Sequence, residues 1–386
     1  MIDTSWEEFW WNNITGAQVV VSKVSDALLE NKMVVLKVPS DLPWRYSMRS
    51  SMHLAFQEKT DTRDVVIEPI DVVDDNPESL EPGRFLLQRY APSAVSRGYR
   101  EKSKVSIQDY IAQKDVIKNR ILWIKGLDGS SANQWIKFCK EFTPKTSTDG
   151  LFVLEIHGAI EQPESRFIEC IDFSDYVSNY DVQLFNSFVL DNEGACASDV
   201  WRRYISTTVA MVCGVDAEVS ELLLRDVDFR KESAIEGIAR IADNPQFSRR
   251  GTESESEHVL WLYRNNKISE LRHRIWAAQV QVLFPIIEVE RIEIIERYKA
   301  AISTVLSENN VTQYGEQIVD PMDVELGSLC YMMSHRKHND TCMYMLYIPD
   351  ENDRERIKFL HECRNKLAHV SFCEPDEVRQ LLDKKK

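Results

Sequence analysis

The sequence predicts an α/β domain with a mostly parallel sheet, followed by all-helical domains. Within the first 175 residues, short continuous apolar runs alternate with amphipathic segments, a pattern typical of a parallel sheet covered by helices on both faces. After residue 176 the strand-like runs fade and helical spacing dominates. Because 386 residues exceed one compact core, we predict an α/β domain over 1–175, a helical extension over 176–250 and a helical domain over 251–386.

The strands of the α/β domain are predicted from the apolar runs and its helices from residues spaced three or four apart. The predicted strands are 33–39, 65–70, 85–90, 121–127 and 150–158, with 166–173 as one further candidate. The predicted helices of this domain are 19–32, 41–57, 106–113 and 133–142.

The rest of the chain is predicted to be helical apart from a linker or loop at 244–257. Four helices precede this segment, and the helices after it are 268–306, 322–334, 350–369 and 375–384. Pro285 lies inside the longest of them and removes a backbone donor, so we expect a kink or two separate helices there.

The composition points to a soluble, cytoplasmic protein. A net charge of −15 argues against a protein whose whole surface coats nucleic acid, so any such contact is local. The eight cysteines have no CxxC or zinc-ligand spacing, which favours reduced thiols and no metal site. We expect no secretion signal and no membrane span, because the acidic, aromatic start and the short apolar runs fit neither.

The segment VVLKVPSDLPWRYSMRSSM, residues 34–52, has the order strand, loop, helix that a nucleotide-binding P-loop requires. It lacks the glycines and the lysine that hold phosphates, and Asp41 would repel them. The layout resembles a degenerate P-loop domain of the AAA or STAND type, with the helices of 176–244 resembling its lid. We therefore expect no nucleotide-binding residues and favour a scaffold that binds a partner or gates the C-terminal domain, with retained nucleotide binding as the less favoured reading.

The C-terminal segment HECRNKLAHVSF, residues 361–372, is predicted to divide into two faces. At about 100° per residue, one face is apolar and comprises Phe359, Leu360, Cys363, Leu367 and Val370. His361, Asn365 and His369 lie four residues apart on the other side, with Arg364 at its flank.

These residue types suit the cleavage of RNA. The reaction needs a base for the ribose hydroxyl and an acid for the leaving oxygen, and histidine titrates in the required range. Arginine offers a permanent fork of donors to phosphate, and asparagine can orient the phosphate or the histidine without adding charge. Such a site requires neither a metal nor another cofactor.

Arg364, Asn365 and His369 fit the Rx4H signature, more narrowly RNxxxH, and so resemble the HEPN family of helical ribonucleases. The resemblance implies a metal-independent endoribonuclease of a prokaryotic anti-phage defence or toxin system, with Arg364 and His369 catalytic and Asn365 supporting. It also implies a homodimer in which two motifs meet, with RNA and a defence-system or antitoxin protein as partners. Glu325 resembles a polar position on an earlier helix of such domains, while His361, outside the signature, is expected to support the site.

Alternatives remain open at this stage. Arg336, Lys337 and Lys366 are candidate RNA contacts, although a solvated loop explains the first two as well. A polar helix face is often only solvated, and Arg364 has Glu362 and Asp353 as possible partners. A non-catalytic adaptor that assembles a defence complex is therefore the second hypothesis.

Overall fold

The computed structural model describes residues 5–59, 65–76, 78–100, 104–127, 129–142, 150–158, 165–192, 194, 198–252, 257–308, 318–337 and 343–383. Two compact units make up the chain. The sheet unit comprises residues 1–185 and 215–218, and the helical unit comprises residues 186–214 and 219–386. The finer division at residues 175 and 250 stays a prediction.

The sheet unit contains five parallel strands in the order β2-β3-β4-β1-β5, as the alternating pattern predicts. The strands are β1 (Met33–Lys37), β2 (Val66–Asp71), β3 (Arg120–Leu127), β4 (Leu151–Ile156) and β5 (Ile168–Asp172). Every residue of β4 is buried, because β3 and β1 flank it and its apolar side chains face packed layers on both sides.

Helices α1 to α8 belong to the sheet unit. They are α1 (Trp6–Asn13), α2 (Thr15–Leu29), α3 (Arg45–Glu58), α4 (Val72–Asp75), α5 (Pro82–Tyr90), α6 (Ser93–Gly98), α7 (Ile107–Gln113) and α8 (Gly129–Glu141). The strand predicted at 85–90 is wrong, since these residues form most of α5. Pro82 occupies the first turn, where its fixed φ favours a helix, and Phe85, Leu86 and Leu87 are buried in the core beside the sheet.

Helix α9 (Asn179–Asn192) runs from the sheet unit into the helical unit. The helices that follow are α10 (Asp199–Cys213), α11 (Ala217–Asp226), α12 (Ala234–Ala242), α13 (Val259–Arg264), α14 (Ile268–Arg297), α15 (Lys299–Glu308), α16 (Leu326–Ser334), α17 (Glu351–Ala368) and α18 (Pro375–Leu382). Short 3₁₀ turns form at Phe173–Asp175, Pro245–Phe247 and Pro321–Asp323. Helix α14 is central to the helical unit and packs against α10, α13, α17 and α18.

Pro285 does not divide the long helix. Helix α14 continues through it to Arg297, and the chain leaves the helix at Tyr298, so the expectation of two helices meeting at Pro285 is wrong. Proline has no backbone N–H and so removes the hydrogen bond to the carbonyl of the residue four positions earlier. Both Pro285 and Gln281 are exposed, so water can hydrate the carbonyl group that this proline leaves without a donor.

None of the described helices is long and apolar enough to cross a membrane. Cys139, Cys170, Cys213, Cys330, Cys363 and Cys373 are free, as the scattered spacing predicts, while Cys196 and Cys342 lie outside the described residues. Burial raises the pKa of Cys139, which keeps that thiol protonated.

Candidate functional site on helix α17

Helix α17 begins at a side-chain cap. The Asp350 carboxylate accepts hydrogen bonds from the backbone N–H groups of Asn352 at 2.8 Å and Asp353 at 3.4 Å, which satisfies donors that the first turn leaves free. Asp353 in turn accepts from Arg297 at 2.7 Å and from the Tyr298 hydroxyl at 2.6 Å. These contacts tie the start of α17 to the end of α14.

The buried side of α17 faces the interior of the helical unit. Ile357, Leu360, Cys363 and Leu367 are its buried residues. At the edge of this face, Arg356 makes a forked pair with Glu290 of α14, with N–O distances of 2.7 and 2.8 Å. Helix α17 is therefore held by apolar burial and by a pair of parallel charge-assisted hydrogen bonds.

The prediction that Val370 continues the apolar face is wrong. The helix ends at Ala368, and Val370 has φ of 57° and is 58% exposed. A β-branched residue rarely adopts this left-handed conformation, and once the helix ends the angle of 100° per residue no longer applies.

The chain after α17 is fixed by Gln279 of α14, which is 1% exposed. Its side-chain amide accepts from the Cys373 backbone N–H at 2.6 Å and donates to the Cys373 carbonyl at 2.8 Å. The Trp276 indole N–H donates to the Leu367 carbonyl at 2.7 Å. These bonds determine where the segment containing His369 leaves the helix.

We call His361, Arg364, Asn365 and His369 the polar face. The first three are half-buried on the side of α17 next to α16, and His369 is exposed at the end of the helix. The side-chain amide of Asn365 lies 3.0 Å from Nε2 of His361. With the amide nitrogen as donor, Nε2 accepts, and a neutral imidazole then carries its proton on Nδ1. A Cβ atom placed on Gly327 of α16 would be 3.3 Å from this Nε2, so the glycine lets the imidazole lie close against α16.

Arg364 approaches Glu325, the residue that precedes α16, rather than either of the partners considered from sequence. The Nη2–Oε2 distance is 3.6 Å, and the Glu325 side chain is 71% exposed. Asp353 is instead paired with Arg297. A loose pair with an exposed carboxylate contributes little stability and is easily exchanged, so the guanidinium remains available to an anion.

His369 caps the C-terminal end of α17 and is exposed. Its backbone N–H donates to the Asn365 carbonyl at 3.0 Å. Within the described ranges, the imidazole itself has no hydrogen-bond partner. The ring therefore faces solvent at the end of the polar face.

The three candidate RNA contacts are placed differently from one another. Lys366 forms a close pair with Glu377 of α18, at 2.6 Å, and this hydrogen bond raises the pKa of the lysine. Lys337 pairs with Glu308 at 3.0 Å, and Arg336 forms a β-bridge with Tyr344 beyond the end of α16. Carboxylates therefore engage Lys366 and Lys337, and the polar face itself comprises the four residues of α17 and its C-terminal cap.

A second polar cluster, which sequence reasoning did not identify, lies in the sheet unit. Glu155 of β4 is fully buried, accepts from the Trp123 indole N–H at 2.7 Å and lies 3.2 Å from Nε of Arg45. We call these three residues the Glu155 cluster. A glutamate inside the apolar run LFVLEI was the available signal, because a carboxylate at such a position requires a buried partner.

The loop between β1 and α3 uses its polar groups internally. Arg45 also donates to the Ser40 carbonyl at 2.8 Å, and the backbone N–H of Trp44 donates to Glu218 at 3.0 Å. Burial lowers the pKa of nearby Arg49. A protein carboxylate therefore takes the Trp44 amide, at the start of α3 where a P-loop would present its amides to phosphate.

No protein-family model matches the chain, and no curated protein matches its sequence. In the described part of the chain, no three His, Cys, Asp or Glu side chains are arranged to hold a metal ion. The polar face offers two imidazoles, one guanidinium and one amide. These groups transfer protons and bind anions.

Proposed function

We propose that the chain is a metal-independent endoribonuclease of the HEPN type. The observation that carries this proposal is the grouping of half-buried Arg364 and Asn365, beside α16, with exposed His369 at the C-terminal end of α17, a helix whose apolar face is buried. Arg364 would bind the phosphate and stabilise charge in the transition state, and His369 would transfer a proton. Asn365 would orient His361, to which it is already hydrogen-bonded.

The proposed reaction needs two proton transfers, one from the ribose hydroxyl and one to the leaving oxygen. Within the polar face, His369 carries the imidazole for which no hydrogen-bond partner is found among the described residues, because His361 is engaged by Asn365. We propose that a second copy supplies the other imidazole across a homodimer. A prokaryotic defence or toxin role, with an antitoxin or defence protein as partner, belongs to the same proposal.

The test is cleavage of RNA in buffer containing EDTA. The wild-type chain should cut RNA. His369→Ala should reduce the rate by about 100-fold or more, as the loss of a positioned acid or base does, and Arg364→Ala by about 100-fold or more, as the loss of a donor that stabilises transition-state charge does. Arg379→Ala is the matched control, because Arg379 of α18 is exposed and its ion-pair partner among the described residues is Asp376, three residues earlier. Sedimentation velocity of the same samples shows whether the chain is a dimer in solution.

The adaptor hypothesis is favoured by a different observation. Arg364 and Asn365 both have partners within the chain, which suits a helix that serves only in assembly. If the wild type leaves RNA intact at every metal concentration, the nuclease proposal is rejected and the adaptor hypothesis is supported. Cleavage by the wild type and by both variants at one rate would indicate a contaminating nuclease.

The sheet unit would regulate the helical unit without hydrolysing a nucleotide. The Glu218 carboxylate accepts the hydrogen bond of the Trp44 backbone N–H. Arg45 forms an ion pair with Glu155 and donates to the Ser40 carbonyl. ATP or GTP with magnesium should therefore leave the melting temperature unchanged, since a ligand that binds only the folded state raises it. A saturable increase would reinstate nucleotide binding.

A further inference from the structure

The segment after α16 carries a group of exposed rings that the proposed function does not use. Tyr331 is 53% exposed, Tyr344 is 48% exposed and Tyr347 is 71% exposed, and His335 is also exposed. We call these four residues the tyrosine platform. Single exposed apolar side chains are ordinary, but large rings grouped together at a surface mark a place where something binds.

Backbone contacts bring these rings together. The rings of Tyr331 and His335 stack with centroids 3.8 Å apart and planes 21° from parallel. The chain then returns along α16, since the Met345 N–H donates to the His335 carbonyl at 2.8 Å and the Leu346 N–H donates to the Met332 carbonyl at 2.9 Å. Tyr344 and Tyr347 are therefore carried on a segment that is fixed beside the first two rings.

Positive charge accompanies the platform, although the whole chain has a net charge of −15. Arg336 is the bridge partner of Tyr344. Arg354 of α17 donates to the carbonyl groups of Ile348 at 2.6 Å and Pro349 at 2.9 Å, beside Tyr347 in the chain. These carbonyl partners hold the guanidinium of Arg354 without neutralising its charge.

Helices α16 and α17 run in opposite directions where they pack, so the platform is close to the polar face. Glu325 meets Arg364, Gly327 meets His361, and Cys330 lies 4.0 Å from the Ile357 carbonyl. Tyr331 and the C-cap residue His335 lie about 9 and 15 Å farther along α16 than Glu325, the neighbour of Arg364, at 1.5 Å per residue. An RNA strand with one phosphate at Arg364 would need to extend by a few nucleotides along α16 to meet these rings.

We propose that the tyrosine platform is a stacking site for the unpaired bases of an RNA strand that binds at the polar face. Exposed rings accept any base by stacking, while neighbouring cations follow the phosphates. Bases within a duplex already stack on one another and are unavailable to the rings. The inference rests on the proposed function, because it concerns the RNA strand that binds at the polar face.

The experiment measures binding apart from cleavage. The full chain carrying both Arg364→Ala and His369→Ala is titrated into a fluorescein-labelled RNA strand, single or annealed to its complement, and anisotropy gives the Kd. Adding Tyr331→Ala and Tyr347→Ala should weaken single-strand binding by about tenfold or more, because stacking contributes about 1 to 3 kcal/mol per base. Tyr331→Phe should retain the affinity, since it keeps the ring.

The control substitution is Tyr46→Ala, which removes a tyrosine of the sheet unit that is 76% exposed. Circular dichroism verifies that each variant is folded, and the comparison of single strand with duplex, which needs only the parent, keeps the test valid if an alanine variant unfolds. The parent should bind the single strand more tightly than the duplex.

The outcomes separate the two proposals. Equal Kd values for the parent and the tyrosine variants overturn the platform even if the wild type cleaves RNA. Equal binding of single strand and duplex also overturns it. Weaker binding by the tyrosine variants supports the platform even if the wild type proves unable to cleave. If those variants bind RNA normally but change the sedimentation coefficient, the surface is a protein interface and the proposal fails.

Discussion

The Glu155 cluster and the polar face of α17 both present arginine beside a carboxylate, yet they differ in burial. Glu155 is fully buried, accepts a hydrogen bond from the Trp123 indole N–H and forms an ion pair with Arg45. Glu325 is 71% exposed and lies 3.6 Å from Arg364. A buried carboxylate must keep its partners because the loss of one leaves an unpaired charge, whereas an exposed pair is exchanged with water or a ligand at little cost.

The same residue types therefore serve different ends in the two units. In the sheet unit the arginine is used to close a loop and satisfy a buried charge. In the helical unit the arginine is held on a rigid helix with weak internal competition. The arginine of the polar face, unlike that of the Glu155 cluster, can therefore exchange its carboxylate partner for a ligand.

The largest expected effect is on the Glu155 cluster. Glu155→Ala removes the acceptor of the Trp123 indole and the counter-charge of Arg45, and should lower the free energy of unfolding by about 3 kcal/mol. Urea denaturation followed by tryptophan fluorescence measures it. Glu325→Ala is the control and should change stability by less than about 0.5 kcal/mol. Similar losses of stability for the two variants would contradict the difference argued between the buried Glu155 cluster and the exposed Arg364–Glu325 pair.

Gln279→Leu tests the bonds that position the end of the polar face. The backbone N–H and carbonyl of Cys373 both lose their partner, so the protein should lose about 2 kcal/mol of stability. Gln281→Leu on the same helix is the control, because Gln281 is exposed. Thermal melting measures the stability, and hydrogen exchange should accelerate at Cys373. Unchanged exchange at Cys373 would show that Gln279 does not hold this segment.

Asp353→Asn tests the pair that fixes the start of α17. Burial tends to raise the pKa of Asp353, but hydrogen bonds from Tyr298 and Arg297 outweigh it and leave the pKa below its ordinary 3.8. Because the folded pKa is lowered, the stabilisation is complete above pH 3.8 and disappears as the pH falls through the folded value. The variant should lose about 1 kcal/mol at pH 7 and approach the wild type under acid conditions.

The measurement for Asp353→Asn is the urea midpoint of wild type and variant between pH 7 and pH 3. Glu355→Gln is the control, since Glu355 is an exposed carboxylate on the same helix. A difference between wild type and Asp353→Asn that stays constant down to pH 3 would contradict the role of ionised Asp353.

The sequence predicted elements whose pattern is unambiguous. Continuous apolar runs identified β3 and β4, and helical spacing identified α17 over 350–369, because both signals are local. The segment 85–90 was assigned wrongly because a short apolar run fits a strand or a buried helix equally well. Pro82, in the first helical turn, is the local feature that favours the helix observed there.

The partners within the candidate site depend on packing that no local pattern encodes. Arg364 meets Glu325, 39 residues earlier in the chain (364 − 325), although nearer carboxylates exist at Glu362 and Asp353. The bonds between Gln279 and Cys373 likewise join two distant segments. Sequence could nominate the residues of the polar face, but only the packing of α16 and α14 on α17 shows what restrains them.

The smallest expected effect is the loss of stability on Arg364→Ala, and it is compared best with Arg356→Ala on the same helix. Arg356 makes a forked pair with Glu290 and donates to the Gln380 carbonyl, so its removal should cost about 1 kcal/mol or more. Arg364→Ala should cost less than about 0.5 kcal/mol while abolishing RNA cleavage. Equal destabilisation by both would make Arg364 a structural residue and favour the adaptor, because a residue that holds the helix in place is not free to bind phosphate.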